Sequence, residues 1–179
     1  LSETCHKYGL YLFLDGARLG YGLAAPDNDL TLPEIAALCD VFYIGGTKVG
    51  ALFGEAVVIK NPELAQDFRY LIKQNGGMLA KGRLLGLQFD ALFTDGLYQE
   101  ISAHAIAMAE KLRDAFTAKG YNYLAPNRTN QIFVIVPDAH LAKISEQFEY
   151  SYDQRIDATH SCVRFCTCLL YTSDAADEL

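Results

Sequence analysis

The chain has 179 residues, of which 51% are hydrophobic and 21% are charged, with a net charge of −7 and a pI near 5.0. This composition is typical of a soluble globular protein with a core of its own. The acidic balance argues against nucleic acid and against an anionic membrane, because either partner needs a basic face. No apolar run approaches the roughly 20 residues that cross a bilayer, so we expect a small metabolite as the ligand.

The cysteines and the first residues of the chain lead to three further expectations, about cellular location, metal binding and completeness. Five cysteines is an odd number, which favours reduced thiols and a cytoplasmic protein over a disulfide framework. His160 lies near three of them, but the paired C-x-x-C spacing of structural zinc sites is missing, so we predict no metal site. The chain begins without methionine, on residues that resemble the tail of a helix, and we therefore expect a fragment.

The first sixty residues predict a β-α-β unit followed by a third strand. LYLFL at 10–14 is a continuous apolar run of the kind found in parallel sheets, and it ends at Asp15 and Gly16. Thr31 and Glu34 have the spacing of a capping box, which opens a helix ending near Cys39. Strands follow at 41–44 and 55–59, and the first two should be parallel with a right-handed crossover.

The rest of the chain predicts longer helices and then a change to α+β character. Asn61 caps a helix that carries Leu64, Phe68, Leu71 and Ile72 on one face, and a helical pattern follows within 76–93. A long helix covers 97–119 and ends at Gly120. Strands at 132–136 and 161–167 enclose a helix at 139–149.

The domain boundaries follow from this change of character. We predict a partial α/β large domain with a mainly parallel sheet over 1–96 and a connecting helix with a small C-terminal α+β domain over 97–167. The segment 168–179, CLLYTSDAADEL, resembles a peptide translated from sequencing-adapter DNA and is interpreted as a non-native tail.

One lysine carries the functional interpretation. Lys48 lies among glycines in FYIGGTKVGALFG, just beyond a predicted strand, and Asp15 ends the parallel strand beside it. Ligands of open α/β sheets bind outside the carboxyl ends of parallel strands, so this acid and this amine meet at one rim. An exposed ion pair is one reading. The other is pyridoxal phosphate chemistry, in which a lysine forms a Schiff base with the cofactor and a carboxylate holds the pyridine nitrogen protonated.

Three further side chains fit that chemistry. Thr47 offers a hydroxyl to the cofactor phosphate, and Arg18 leaves the same rim with a fork suited to a carboxylate or phosphate. Arg18 alone could equally be a surface residue. Arg164 alternates with Cys162 and Cys166 on the last strand, as either an edge-strand guard or a ligand for a substrate anion.

Two motifs resemble those of the low-specificity L-threonine aldolases, which belong to the β-eliminating lyase superfamily of fold-type-I pyridoxal phosphate enzymes. They are LDGARLG at 14–20 and DVFYIGGTKVGALFG at 40–54. The resemblance spans most of 1–167. It implies that Lys48 is the Schiff-base lysine, that Asp15 contacts the pyridine nitrogen, and that Arg18 lies near the cofactor and the substrate carboxylate. VRFCT resembles the late strand whose arginine, here Arg164, binds that carboxylate.

The sequence departs from the family pattern in two places. Leu79 stands where many members have an arginine that reaches a neighbouring subunit, and Lys81 or Arg83 is the candidate substitute. The family's N-terminal stretch, with its phosphate-binding loop and ring-stacking residue, is missing from this sequence. We read His6 and His104 as ordinary helix-surface residues rather than replacements.

The resemblance implies retro-aldol cleavage of β-hydroxy-α-amino acids, with L-threonine or L-allo-threonine giving glycine and acetaldehyde. The same lysine and aspartate serve other fold-type-I reactions, so β-elimination, desulfuration and transamination stay open. An inactive fragment is the third reading. The family also implies a homodimer or homotetramer at full length.

Overall fold

The computed structural model describes residues 1–168, so the predicted tail lies outside the described residues apart from Cys168. The chain divides into two compact units. The first unit contains Leu1–Leu23 and Asp29–Tyr98, and the second contains 24–28 and, among the described residues, 99–168. Within the described residues, no helix is both long and apolar enough to cross a membrane.

The helices within residues 1–168 are α1 Ser2–Lys7, α2 Leu19–Leu23, α3 Leu32–Leu38, α4 Pro62–Ala65, α5 Phe68–Gln74, α6 Arg83–Phe93, α7 Leu97–Ala118 and α8 Asp138–Ser145. The strands are β1 Phe13–Leu14, β2 Val41–Gly45, β3 Glu55–Ile59, β4 Asn122–Tyr123, β5 Gln131–Pro137, β6 Ser151–Arg155 and β7 His160–Cys166. A 3₁₀ turn, Thr47–Val49, follows β2.

The first unit has a three-stranded sheet in the order β1-β2-β3. β1 and β2 are parallel, as predicted, and pair Phe13 with Val41 and Leu14 with Phe42. β2 and β3 are antiparallel, so this sheet is mixed. β1 is shorter than the predicted 10–14 because the Leu12 amide donates to the Asp40 carboxylate at 2.8 Å instead of extending the ladder.

Helix α3 confirms the predicted capping box. The Thr31 amide donates to Glu34 Oε2 at 2.7 Å, and the helix ends with Cys39 as its C-cap. The single helix predicted from Asn61 is wrong, because α4 and α5 are separated at Gln66 and Asp67. Asp67 has a φ of 55°, a left-handed conformation that an aspartate tolerates better than most residues but that no helix continues through.

The second unit has a four-stranded antiparallel sheet in the order β4-β5-β7-β6. The strands predicted at 132–136 and 161–167 are confirmed as β5 and β7, and the long helix is confirmed as α7, with Gly120 just beyond it at a φ of 76°. β5 alternates between buried and half-buried residues. Its buried face packs in one cluster whose members are Ala109, Ile132, Val134, Val136, Val163 and Phe165.

Candidate functional site

The turn after β1 and the turn after β2 lie against each other in the first unit. The Gly45 amide donates to the Gly16 carbonyl at 2.9 Å, and the buried Tyr98 hydroxyl donates to the Gly45 carbonyl at 3.0 Å. A Cβ at Gly16 would come within 1.7 Å of the Tyr43 carbonyl oxygen, and one at Gly45 within 2.3 Å of the Ala17 carbonyl oxygen. Only glycine permits this approach, which brings the residues after both strands together.

Asp15 lies at this junction with its carboxylate exposed. Its Oδ1 accepts hydrogen bonds from the Tyr43 hydroxyl and from the Ala17 amide, the latter at 3.1 Å. The pKa of Asp15 is held below its ordinary value, chiefly by the hydrogen bond from Tyr43 and then by the one from Ala17. The positive charges of Lys48 and Arg18 lower it further. Asp15 is therefore ionised at neutral pH, and both cations act on it.

Lys48 is carried by the 3₁₀ turn Thr47–Val49 and is half-buried. Two contacts fix this turn: the Val49 side chain is fully buried, and the Tyr21 hydroxyl donates to the Lys48 carbonyl. Gly50 ends the turn at a φ of 106°, which favours glycine. Because its backbone is held at both positions, the lysine leaves the sheet in a defined direction.

Glu55 is a second acid at the junction, and sequence reasoning missed it. Its Oε2 accepts from the Gly46 amide at 3.0 Å, and the Thr47 hydroxyl also donates to its carboxylate. Partial burial raises the pKa of Glu55, while these hydrogen bonds and the charge of Lys48 oppose the rise. The signal in the sequence was an acid opening an otherwise apolar strand, EAVVI, directly after a glycine.

Tyr43 is the second residue that sequence reasoning missed. The alternation of VFYI places Phe42 and Ile44 in the core and Tyr43 on the opposite face of β2, the face that carries Asp15. Desolvation, with the Asp15 hydrogen bond, raises the pKa of Tyr43 to about 12. Its phenol is therefore a hydrogen-bond donor throughout the neutral range.

The structure groups four of the five predicted site residues in the first unit: Asp15, Arg18, Thr47 and Lys48. Arg164 belongs to the second unit, where it lies on β7 and its Nη2 donates to Ser151 Oγ at 3.3 Å. No cluster of three or more metal-ligating side chains occurs within residues 1–168.

The residues at which the sequence departs from the family pattern also have defined places. Leu79 and Lys81 are exposed in the segment between α5 and α6, and Arg83 opens α6. His6 lies on α1 with its Nε2 3.1 Å from Asp40 Oδ2, and His104 lies on α7.

Comparison with known proteins assigns the family. The profile of the beta-eliminating lyases matches residues 1–139. The chain belongs to the beta-eliminating lyase family. A low-specificity L-threonine aldolase from Pseudomonas sp. (strain NCIMB 10558) is 35% identical to this family member over 138 residues, which are 75% of the chain and 39% of the aldolase.

Solved structures show the same relationship. The threonine aldolase of Leishmania major superposes on this beta-eliminating lyase family member with a TM-score of 0.92 and 43% identity, over 94% of the chain and 49% of that structure. Serine palmitoyltransferase of Sphingomonas wittichii matches its fold alone, with a TM-score of 0.64 and 16% identity over 96% of the chain and 45% of that structure. The fold is that of the fold-type-I pyridoxal phosphate enzymes. The chain thus spans less than half the length of each of these three relatives.

Proposed function

We propose that the full-length protein is a pyridoxal phosphate-dependent lyase that cleaves β-hydroxy-α-amino acids, turning L-threonine or L-allo-threonine into glycine and acetaldehyde. The observation that carries the proposal is the backbone junction at which the Gly45 amide donates to the Gly16 carbonyl at 2.9 Å, because it joins the turn after Asp15 to the strand end that leads into the turn of Lys48. The names of the relatives give the substrate class.

The donor set at the junction fits the cofactor. Asp15 is ionised and exposed, as a carboxylate that accepts from a protonated pyridine nitrogen must be. Lys48 supplies an amine on a fixed turn, and Nζ would hold the cofactor covalently. When bound, the cofactor supplies an electron sink for the bond that breaks at Cα. We propose that 1–96 is the cofactor-binding part of the chain and that 97–167 is a connecting helix with a small C-terminal domain.

The proposed substrate contacts come from the two arginines. Arg18 and Arg164 are each proposed as a substrate-carboxylate ligand on the family resemblance, since a guanidinium fork matches a carboxylate in two parallel hydrogen bonds. A fixed carboxylate orients the substrate so that the bond between Cα and Cβ, rather than the one to hydrogen, takes the reactive position. Arg18 also acts on Asp15 by its charge.

The proposed phosphate contact of Thr47 carries a condition. Its hydroxyl lies close enough to the Glu55 carboxylate to lower the pKa of that carboxyl. The Glu55 carboxylate would repel a phosphate at this hydroxyl unless the carboxylate became protonated. We therefore expect Thr47→Ala to weaken cofactor binding far less than loss of Lys48.

The test is to locate the covalent bond to the cofactor. The full-length protein is incubated with pyridoxal phosphate, reduced with borohydride to make the lysine bond permanent, and mapped by peptide mass spectrometry. We expect the label on Lys48, and we expect Lys48→Ala to abolish both the label and acetaldehyde release from L-threonine. Lys60→Ala, a lysine just beyond β3, is the matched control and should retain both. A label on another lysine, or activity in Lys48→Ala, would contradict the proposal.

Assembly and location are also proposals. We propose a homodimer or homotetramer, supported by the many exposed large hydrophobic side chains of the first unit, which a partner copy would cover. Light scattering of the full-length protein tests this. A cytoplasmic location is supported by the cysteines, all within residues 1–168 and none of them in a disulfide.

A further inference from the structure

Tyr43 has a position that the register of the sheet imposes. β1 and β2 pair Phe13 with Val41 and Leu14 with Phe42, so one more step of the same parallel register sets Asp15 beside Tyr43. The two side chains then share a face of the sheet. The Phe13 ring lies on that face as well, with its centroid 6.1 Å from that of Tyr43 and the planes inclined by 42°.

The hydrogen bonds to Asp15 fix one of its two oxygens. The Tyr43 hydroxyl and the Ala17 amide both reach Oδ1. No hydrogen bond from the described residues reaches Oδ2. A carboxylate held by two donors at one oxygen loses its rotation about χ2, so the second oxygen points in a constant direction.

The surroundings of Asp15 and Tyr43 keep the carboxyl ionised and the phenol protonated, which the hydrogen bond between them requires. Lys48 and Arg18 are the cations acting on Asp15, and Glu55 is a second anion acting on Tyr43. The pKa of Asp15 lies below its ordinary value and that of Tyr43 is raised to about 12. At neutral pH the phenol therefore donates and the carboxylate accepts.

We propose that Tyr43 is a positioning residue, which holds Oδ1 of Asp15 and thereby presents Oδ2 to the pyridine nitrogen of the cofactor. The second half of this statement rests on the proposed function. The first half concerns the protein without cofactor and can be measured there. Tyr43 acts through Asp15 and does not itself touch the reacting atoms.

The first experiment measures the Asp15 carboxyl in the cofactor-free, full-length protein. Carbon-13 NMR follows its titration in wild type and in Tyr43→Phe, which keeps the ring against Phe13 and removes only the hydroxyl. The control is Tyr11→Phe, because the Tyr11 hydroxyl also donates to a carboxylate, that of Glu63 at 3.3 Å. We expect the pKa of Asp15 to rise in Tyr43→Phe and to stay unchanged in Tyr11→Phe.

A general loss of stability would lower the melting temperature without moving the Asp15 titration, so this readout separates positioning from a structural role. If Tyr43→Phe does not fold, 3-fluorotyrosine at position 43 replaces it. Fluorine makes the phenol a stronger donor and should lower the pKa of Asp15 further. An Asp15 titration that is the same in wild type and in the position-43 variant would overturn the proposal.

The second experiment measures cofactor affinity by absorbance titration. We expect Tyr43→Phe to raise the Kd for pyridoxal phosphate about threefold to tenfold, the effect of losing one ordinary hydrogen bond, because Tyr43 acts on the cofactor only through Asp15. In the Asp15→Asn background the same change should have little further effect. Equal affinities of wild type and Tyr43→Phe would overturn the cofactor half, whereas a wild-type protein that binds no cofactor would overturn the proposed function itself.

Discussion

The two units of the chain differ in how completely they bury their apolar side chains. In the second unit, Ile132, Val134, Val136 and Val163 have no exposed surface, and the sheet has a closed apolar face. In the first unit, β3 has no fully buried residue, and Val57 on it is 47% exposed. Most of the exposed large hydrophobic side chains belong to the first unit, and the second contributes Leu124, Phe148, Tyr152 and Ile156.

This contrast indicates that different interactions hold the two units in their folded structures. The second unit is held by ordinary core packing, in which each buried methyl contributes. The first unit is most constrained at the junction of Gly16 with Tyr43 and of Gly45 with Ala17, where backbones touch and side chains are missing. The candidate site thus lies at the most rigidly defined place of the less completely buried unit.

The largest loss of stability should come from adding one methyl group to that junction. In Gly16→Ala the new Cβ would lie 1.7 Å from the Tyr43 carbonyl oxygen, so the turn must move. We expect a loss of about 3 kcal/mol or more in the free energy of unfolding, or failure to fold. Chemical denaturation of the full-length protein measures it.

Gly22→Ala is the matched control for that change. Gly22 lies in α2, six positions along, and a Cβ there meets no atom within 4 Å. Because alanine favours a helix over glycine, the expected result is a gain of up to about 1 kcal/mol. Equal effects of the two substitutions would show that the junction is not specially constrained.

The next effect compares one residue type in the two units. Val134→Ala removes methyl groups from the fully buried face of β5 and should lower the free energy of unfolding by about 2 to 3 kcal/mol. Val57→Ala, on a strand of the first unit, should change it by about 0.5 kcal/mol or less. A large loss at Val57 would mean that a partner surface covers it in the assembled protein.

The sequence was sufficient for features with local signals. The capping box of Thr31 and Glu34 predicted α3 because both partners lie within one turn. Apolar runs predicted β2, β3, β5 and β7, of which β2, β5 and β7 contain fully buried side chains and β3 contains none. The parallel pairing of β1 with β2 followed from the intervening helix, and it placed Asp15 near Lys48. The catalytic roles of these two residues stay predictions.

The sequence was insufficient where a property depends on register or on one backbone angle. The partnership of Tyr43 with Asp15 exists only in this strand register, and Glu55 meets Gly46 because antiparallel pairing sets Glu55 opposite Gly45. The break at Asp67 comes from one positive φ. β6 escaped prediction because SYDQR is a polar edge strand with no apolar alternation.

A smaller effect concerns the turn between β6 and β7 in the second unit. Asp157 Oδ1 accepts from the amides of Thr159 and His160 at 2.7 and 2.8 Å, and the first of these is the main reason that its pKa is lowered to about 2. A lowered pKa stabilises the fold above the ordinary value of 3.8, and this contribution is lost as the pH falls towards 2.

Asp157→Asn should therefore lower the melting temperature at pH 7, by less than Val134→Ala does, and the two proteins should converge between pH 4 and pH 2. Asp153→Asn, on exposed β6, is the control. A gap that stays constant with pH would assign the effect to the turn geometry instead of the charge.

The smallest expected change in stability is that of Glu55→Gln, which tests how strongly the junction in the first unit desolvates a charge. Partial burial raises the pKa of Glu55 above its ordinary value of 4.5, so its ionised form costs stability, and the cost grows as the pH rises through that value and above it. Glu55→Gln keeps an oxygen that accepts from the Gly46 amide and removes the charge. The variant should melt slightly higher than wild type at pH 7 to 8, and the difference should disappear below pH 4.5. Thermal unfolding across that range decides it. A variant that melts lower than wild type at pH 7 to 8, with the gap closing as the pH falls, would mean that attraction to Lys48 outweighs burial and that the junction is wetter than its hydrogen bonds indicate.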